Sequence, residues 1–455
     1  MNRVTKRSWL MGAFVLLLLG GMGFFVLEYV FQADTWVVST GSPHVYKGSN
    51  LGNGTVVDRD GVVLLDIDEE RAYSDNAQTR ASTLHWLGDR SGSIQAKAVG
   101  NYAAIMAGYD KVNGLYDFAG TGGVEHLTLS APIQNAALSA LDGRKGTVGI
   151  YNYKTGEILC AVTSPTYDPD NVPDLTGESY EGVYLNRFLQ SSYVPGSIFK
   201  IVTTAAALEC VPDIESRTFT CTGAYEYSDD VAVTCETAHG TLDLKGALAH
   251  SCNCAFAQIA KIVGRKNMEK YVEKFGVVKP VSFDGVTSAK GNYDISNTGG
   301  ASFAWSCIGQ HTDLINPARF MTFMGTIASG GRGVEPFLVS GITRGEENVY
   351  EASPVKTERI MKESTAQKLQ EYLRNDVRII YGDGNFPGLS VCAKSGTSQL
   401  GGGKRSNAMF TGFVMDEEYP LAFIVVVENG GYGASACVPV ISQVLRTCKA
   451  VLGGQ

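Results

Sequence analysis

Nowhere does the chain gather Lys and Arg into a basic block or stripe, and neither an internal repeat nor a long low-complexity tract interrupts it. Lys and Arg number 38 against 46 Asp and Glu, a formal net charge of −8 spread over both halves. That balance lacks the electrostatic footprint of a nucleic-acid-binding protein, so no nucleic acid is expected as a partner. Proline is scarce, at 14 residues, and charged residues make up only 18% against 44% apolar ones, which excludes wholesale disorder. The ten cysteines lack the dense spacing of a small disulfide-stapled domain. What the chain does have is length: 455 residues exceed one ordinary domain and can bury at least one large core.

The first decisive feature is the run from Ser8 to Leu27, uncharged and matched to a hydrocarbon core of about 30 Å. Arg3, Lys6 and Arg7 precede it, Glu28 and Asp34 follow, and the next basic residue is Lys47. This asymmetry predicts a cytoplasmic tail over 1–7, a single transmembrane anchor over 8–30 and the remainder outside the cytoplasmic membrane. A cleaved signal peptide fits less well, because the apolar stretch exceeds the usual h-region and bulky Phe31 would stand three residues before a cut after Ala33.

Behind the anchor, residues 31–127 are expected to form a small mixed spacer domain, containing a hairpin from Gly54 to Leu65 around an Arg59-Asp60-Gly61 turn. From residue 128 the texture changes. Ser130-Ala131-Pro132 opens a helix running to Leu141. Strands follow over 147–153 and 157–163, a helical middle begins at Ser197, three more strands are expected over 389–397, 408–415 and 421–428, and an amphipathic helix closes the chain from Val438. The fold class predicted for 128–455 is α/β: a five-stranded antiparallel sheet made from both ends of the domain, flanked by helices and a helical subdomain.

The strongest chemical signal is Pro195-Gly196-Ser197-Ile198-Phe199-Lys200, where Pro-Gly breaks the chain and a nearly all-apolar helix begins. Ser197, Lys200 and Thr204 fall on one face. A lysine there is either paired or useful, because an unpaired buried ammonium is expensive. Desolvation and a second cation lower its pKa, leaving an amine able to take the Ser197 proton. The bland alternative is that Lys200 reaches solvent and Ser197 merely caps the helix. Ser353-Pro354-Val355-Lys356 repeats the letters without an apolar helix behind them.

Two further motifs follow in order. Ser251-Cys252-Asn253 falls between two apparent helices, and Lys394-Ser395-Gly396-Thr397 ends an apolar strand in which Gly396 permits a substrate backbone to approach. Ser74-Asp75-Asn76 and Lys154-Thr155-Gly156 have similar letters but precede Ser197.

Ser-x-x-Lys, Ser-x-Asn and Lys-Ser/Thr-Gly in this order and spacing resemble the penicillin-binding proteins and serine β-lactamases. Thr155-Gly156-Glu157, Ser164 to Asp170, His239-Gly240, Ile308-Gly309-Gln310 and Phe410-Thr411-Gly412-Phe413 look like class B transpeptidases in particular. The resemblance implies a peptidoglycan D,D-transpeptidase. On that resemblance Ser197 would be the nucleophile, Lys200 the base and Ser251 a proton relay; Asn253 would hold the substrate amide, and Lys394, Ser395, Gly396 and Thr397 would form the carboxylate and oxyanion side. It implies D-Ala-D-Ala stem peptides as substrate, acylation by β-lactam antibiotics, no metal or organic cofactor for the reaction, and a polytopic SEDS-type glycan polymerase as partner. D,D-carboxypeptidase, β-lactamase and penicillin sensor share the motifs, but anchor plus spacer favours the transpeptidase.

Cys160, Cys252, Cys254 and Cys392 lie in apolar runs and read as buried small hydrophobes. Cys221 and Cys235 flank a polar, turn-rich stretch, and a loop-closing disulfide between them is expected. A Zn site using both with His239 lacks a fourth ligand at a usual spacing.

Overall fold

A computed structural model describes residues 2–37, 46–47, 50–51, 54–67, 71–110, 112–113, 115–116, 122–228, 231–296, 299–399 and 405–453. The apolar N-terminal run is one helix, α1 (Asn2–Val37). Its stretch from Val4 to Ala33 has a mean hydropathy of 2.4, and the most apolar part of that stretch is wholly exposed; burial begins only toward its end, where Ala33 is covered. The same test of length and hydropathy selects the closing helix, but that helix packs its apolar face on the core.

The predicted hairpin forms from β1 (Gly54–Val57) and β2 (Val63–Ile67), with β3 (Arg71–Tyr73) and α2 (Ala77–Leu87) behind it. At its turn, Asp58 accepts from Asp60 and Val62 N–H through Oδ1, both at 2.9 Å. Its Oδ2 accepts from Ala131 N–H at 3.0 Å, so the hairpin caps the helix that follows β4 (Val124–Leu127). Ser130, the residue expected to cap that helix, makes no side-chain cap bond.

The helix so capped is α3 (Ala131–Leu141), and it leads into β5 (Gly146–Asn152) and β6 (Ile158–Ser164). The helical middle contains α4 (Lys200–Cys210), α5 (Leu244–Ala249), α6 (Asn253–Val263) and α7 (Pro317–Ala328). Then come β7 (Val339–Arg344), β8 (Glu347–Glu351) and α8 (Glu363–Asp376). The chain ends with β9 (Val391–Ser398), β10 (Asn407–Val414), β11 (Leu421–Val427) and α9 (Gly433–Leu452).

The main sheet is antiparallel and five-stranded, in the order β6-β5-β11-β10-β9. Every residue of β6, β10 and β11 is buried, as their near-continuous apolar runs require when both faces are covered. Alternate side chains separate into two cores: Val425 and Phe423 pack with Ile133 of α3 and Ile441 of α9, whereas Ile424 and Ala422 pack with Met321 of α7. β9 lies at the sheet edge, beside the turn that carries Ser197.

A second sheet runs β8-β7-β4-β1-β2-β3. Strands from residues 339–351 thus complete the sheet begun before residue 127, and the chain does not divide cleanly there. Trp86 of α2 donates to Ala161 O at 2.7 Å, and Arg80 grips Asp168 with two bonds of 2.7 Å, so the N-terminal part packs directly on β6 and the loop after it.

Candidate active site

Ser197 is held from both sides of the chain. Upstream, Tyr193 and Ile315 exchange backbone hydrogen bonds at 2.9 Å, and Gly196 N–H donates to Gly309 O at 2.7 Å. Residues Gly196–Phe199 form a 3-10 turn and α4 starts only at Lys200. Ser197 therefore sits in a tight turn before the helix the sequence predicts. Ile201, Val202, Ala205 and Ala206 are fully buried, and Thr204 turns its hydroxyl inward onto Lys200 O at 2.7 Å.

Lys200 has no exposed surface. Its Nζ lies 3.1 Å from Ser197 Oγ, 2.6 Å from Ser251 O, 3.0 Å from Ser251 Oγ and 2.8 Å from Asn253 Oδ1. Burial, and next the positive charge of Lys394, hold this amine well below the ordinary lysine pKa. Among the described residues no carboxylate hydrogen-bonds to it. The bland alternative of a solvent-reaching lysine does not hold.

Ser251 adopts φ 52°, a left-handed conformation uncommon for a non-glycine residue, at the bend between α5 and α6. The bend is closed by Ser251 N–H to Leu248 O and Cys252 N–H to Ala247 O, each at 3.0 Å. Asn253 opens α6 and donates through Nδ2 to Thr234 O at 2.9 Å, which leaves its Oδ1 on Lys200.

On the opposite wall, β9 approaches the Ser197 turn so closely that side chains are excluded on both sides. A Cβ on Gly396 would stand 2.7 Å from Pro195 O, and one on Gly196, at φ +57°, would meet Thr397 O at 2.4 Å. The approach Gly396 permits is thus that of the Ser197 turn itself, where a substrate backbone was expected. Thr397 O accepts from Gln310 Nε2 at 3.1 Å, off the sheet edge. A strand residue's N–H points the same way as its C=O, so the Thr397 N–H also leaves the edge. Thr397 Oγ1 accepts from Gly433 N–H at 3.0 Å.

Lys394 is 1% exposed and donates to Ser395 O at 3.0 Å, so it stands behind the wall of the cleft. Behind it again, burial pushes the Asp376 carboxyl up to about 8, with Lys394 opposing. Tyr381 holds Ser395 twice, receiving its backbone N–H at 2.8 Å and meeting its Oγ at 2.9 Å. A cleft of about 530 Å³ opens over these groups, lined by Ser197, Ser251, Asn253, Ser395, Thr397 and Trp305 among others.

Serine, buried amine, relay hydroxyl and strand edge thus converge on one cleft, and the transpeptidase domain of penicillin-binding proteins matches residues 146–446. The chain belongs to the penicillin-binding protein transpeptidase family. Its relatives include the peptidoglycan D,D-transpeptidase PbpA of Mycolicibacterium smegmatis, 27% identical over 69% of each chain. Stage V sporulation protein D of Bacillus subtilis is 24% identical over 87% of this chain and 62% of its own length. Among solved structures, the D,D-transpeptidase domain of a peptidoglycan glycosyltransferase from Eggerthella lenta aligns with TM-score 0.76 and 25% identity, covering 89% of this chain and 99% of that one. A ceftriaxone acyl-enzyme complex of penicillin-binding protein A from M. tuberculosis shares the fold, with TM-score 0.76 and 22% identity, over 87% and 98% of the two chains.

All eight residues singled out in the sequence meet at this transpeptidase cleft or in its wall. Sequence reasoning missed Tyr381 and Asp376, which carry no motif of their own. It noted Ile308-Gly309-Gln310 without a role; the structure shows that Gly309 and Gln310 staple the Ser197 turn to β9. The expected Cys221–Cys235 disulfide does not form. Cys221 pairs in register with Gly240, whereas Cys235 follows a separate hairpin and turns its thiol toward Cys252. Cys252 is buried as expected, but its sulfur faces other ligand atoms as well as the core.

Proposed function

We propose that this chain is a peptidoglycan D,D-transpeptidase that works through an acyl-enzyme on Ser197. The observation that carries the reading is the buried amine of Lys200, 3.1 Å from Ser197 Oγ and depressed by burial and by Lys394.

In its neutral form Lys200 has two N–H bonds and one lone pair. Ser251 O and Asn253 Oδ1 accept the two N–H bonds, leaving the lone pair for the Ser197 hydroxyl proton. Ser197 Oγ then attacks the carbonyl between two D-alanines of a donor stem peptide. The backbone N–H groups of Ser197 and Thr397 face the oxyanion, where each donor contributes roughly 3 kcal/mol of barrier lowering. Ser251 relays the proton from Lys200 to the departing amine. The C–N bond breaks, D-alanine leaves, and an amine of a second stem peptide resolves the ester by the reverse proton route. Ser395 and Thr397 receive the substrate carboxylate with the field of Lys394 behind them, and Asn253 donates to the substrate amide. A β-lactam enters by the same attack and stays as a stable ester.

Placement follows from the anchor: α1 spans the cytoplasmic membrane once, the N-terminus lies inside, and the catalytic part lies outside. The spacer occupies residues 31–127 and the transpeptidase unit 128–455, with β7 and β8 lent back to the spacer sheet. A SEDS-type glycan polymerase is the partner that would supply the strands to be cross-linked.

Fluorescent penicillin added to the full chain in detergent tests the reading. Stable labelling is expected in wild type and in Ser353→Ala, and none in Ser197→Ala. Rapid loss of the label would turn the assignment to a β-lactamase, and labelling of Ser197→Ala would remove the nucleophile.

A further inference from the structure

Beside the Ser251-Cys252-Asn253 bend, with Cys235 and His239 on the wall of the same cleft, Cys221, Cys235, His239 and Cys252 bring their ligand atoms within 4.8 Å of one another. They come from four places: the end of the short strand Phe219–Cys221, the end of the hairpin strand Val231–Thr234, the approach to strand Gly240–Leu242, and the start of α6. The fourth ligand that local spacing did not offer is Cys252, the middle residue of a catalytic motif.

We propose that these four residues bind one Zn²⁺ ion, and that the metal fixes the positions of Ser251 and Asn253.

Two of the ligand–ligand distances match the edges of a tetrahedron. With Zn–S near 2.3 Å and Zn–N near 2.0–2.1 Å, tetrahedral corners stand about 3.8 Å apart for two sulfurs and about 3.6 Å for sulfur and nitrogen. Cys235 Sγ and Cys252 Sγ are 3.7 Å apart, and Cys221 Sγ and His239 Nδ1 are 3.5 Å apart. A disulfide, by contrast, needs its sulfurs at about 2.0 Å.

The surroundings are those of a thiolate site. Cys254 N–H points at Cys235 Sγ at 3.3 Å, and Ala255 N–H at Cys252 Sγ at 3.4 Å, so the free amides at the start of α6 face the charge that coordination leaves on sulfur. His239 Nε2 lies 3.4 Å from Thr237 Oγ1, a hydroxyl able to accept from Nε2–H when Nδ1 is on the metal. Three cysteines and one histidine make a closed set with no place for a substrate or water. Three thiol protons pass to solvent on binding, no electron is transferred, and the site carries one net negative charge.

The consequence for catalysis rests on the function proposed above. Cys252 lies between the two residues that contact Lys200, and Asn253 is tied to Thr234, next to Cys235. The metal therefore clamps the 219–242 excursion onto the bend that presents Ser251.

The test uses the full chain in detergent, reduced, stripped with a chelator and given Zn²⁺ or Co²⁺ alone. One Zn per chain is expected by elemental analysis, with a first shell of three sulfurs and one nitrogen by X-ray absorption and thiolate-to-cobalt charge transfer in the Co²⁺ form. Cys221→Ser and His239→Ala should each weaken binding by at least roughly tenfold, whereas Cys210→Ser, outside the cluster, should bind as wild type. The wild-type absorption spectrum keeps the test decisive where a variant does not fold: a first shell of oxygen and nitrogen only overturns the proposal. So does failure to take up stoichiometric Zn²⁺, or a Cys235–Cys252 disulfide in unreduced protein that resists metal. Penicillin acylation should slow roughly tenfold on chelation and recover with Zn²⁺; an unchanged rate removes the positioning role. Metal uptake is read without activity, so failure of the transpeptidase reading shows separately, as absent labelling in the zinc-loaded chain.

Discussion

Lys200 is an amine whose surroundings favour its neutral form. Burial acts first and Lys394 second, while Cys235, Cys252 and Cys254 pull the other way. Because the base must be unprotonated, acylation should rise with pH through a midpoint well below the ordinary lysine value of 10.5. Replacing Lys394 by Gln removes a neighbouring positive charge, so Lys200 holds its proton more firmly. The rising limb of penicillin acylation against pH should then move to higher pH; an unmoved limb would refute the coupling. Asp376 carries the opposite load. Its carboxyl, raised to about 8 from 3.8, keeps its proton in the folded state after the unfolded chain has lost its own. Folding stability is thus lost as pH rises between those two values. Asp376→Asn escapes that loss, and its folding free energy relative to wild type, followed by thermal unfolding, should climb from pH 4 to pH 8, by an amount on the order of a few kcal/mol at the upper end.

At the scale of elements, the site depends on how closely an edge strand and a 3-10 turn can approach. β9 carries Thr397 to Ser197 only because residues 196 and 396 lack side chains. Gly396→Ala puts a methyl group 2.7 Å from Pro195 O, a contact that either the turn or the strand must relieve by moving. A shift of that size at reacting atoms is expected to slow penicillin acylation by about 100-fold. The main sheet continues through four other strands, so the thermal midpoint should fall far less than the rate. An acylation rate within a few-fold of wild type would show that the close approach is not needed. The strands and helices around this junction were readable from pattern: apolar runs gave β10 and β11, and the apolar face after Pro-Gly gave α4. The 3-10 turn was not, because its stop at Lys200 is set by Gly309 and β9, far away in sequence.

For the whole molecule, the proposed membrane location rests on α1. Its residues from Leu16 to Leu19 are more than half exposed in the isolated chain, as expected of a surface meant for lipid. Leu17→Arg with Leu18→Arg places two charges near the middle of the span, each unfavourable by about 3 kcal/mol. The full chain should resist alkaline extraction from membranes and the double variant should be released; equal retention of both would remove α1 as the anchor. The second sheet makes a related point. By recruiting β7 and β8 from beyond residue 330, it ties strands on either side of the main sheet's first strands together through backbone hydrogen bonds.

Local chemistry was enough to determine the apolar span, the five strands, the buried helix and the three motifs, since each depends on neighbours within a few residues. Only the folded chain could decide what stands around them: Tyr381 on Ser395, Asp376 behind Lys394, Gln310 on Thr397, and Cys252 beside Cys221, Cys235 and His239. Those partners come from segments tens of residues apart, and their meeting is fixed by strand order and helix packing, which no short window of sequence contains.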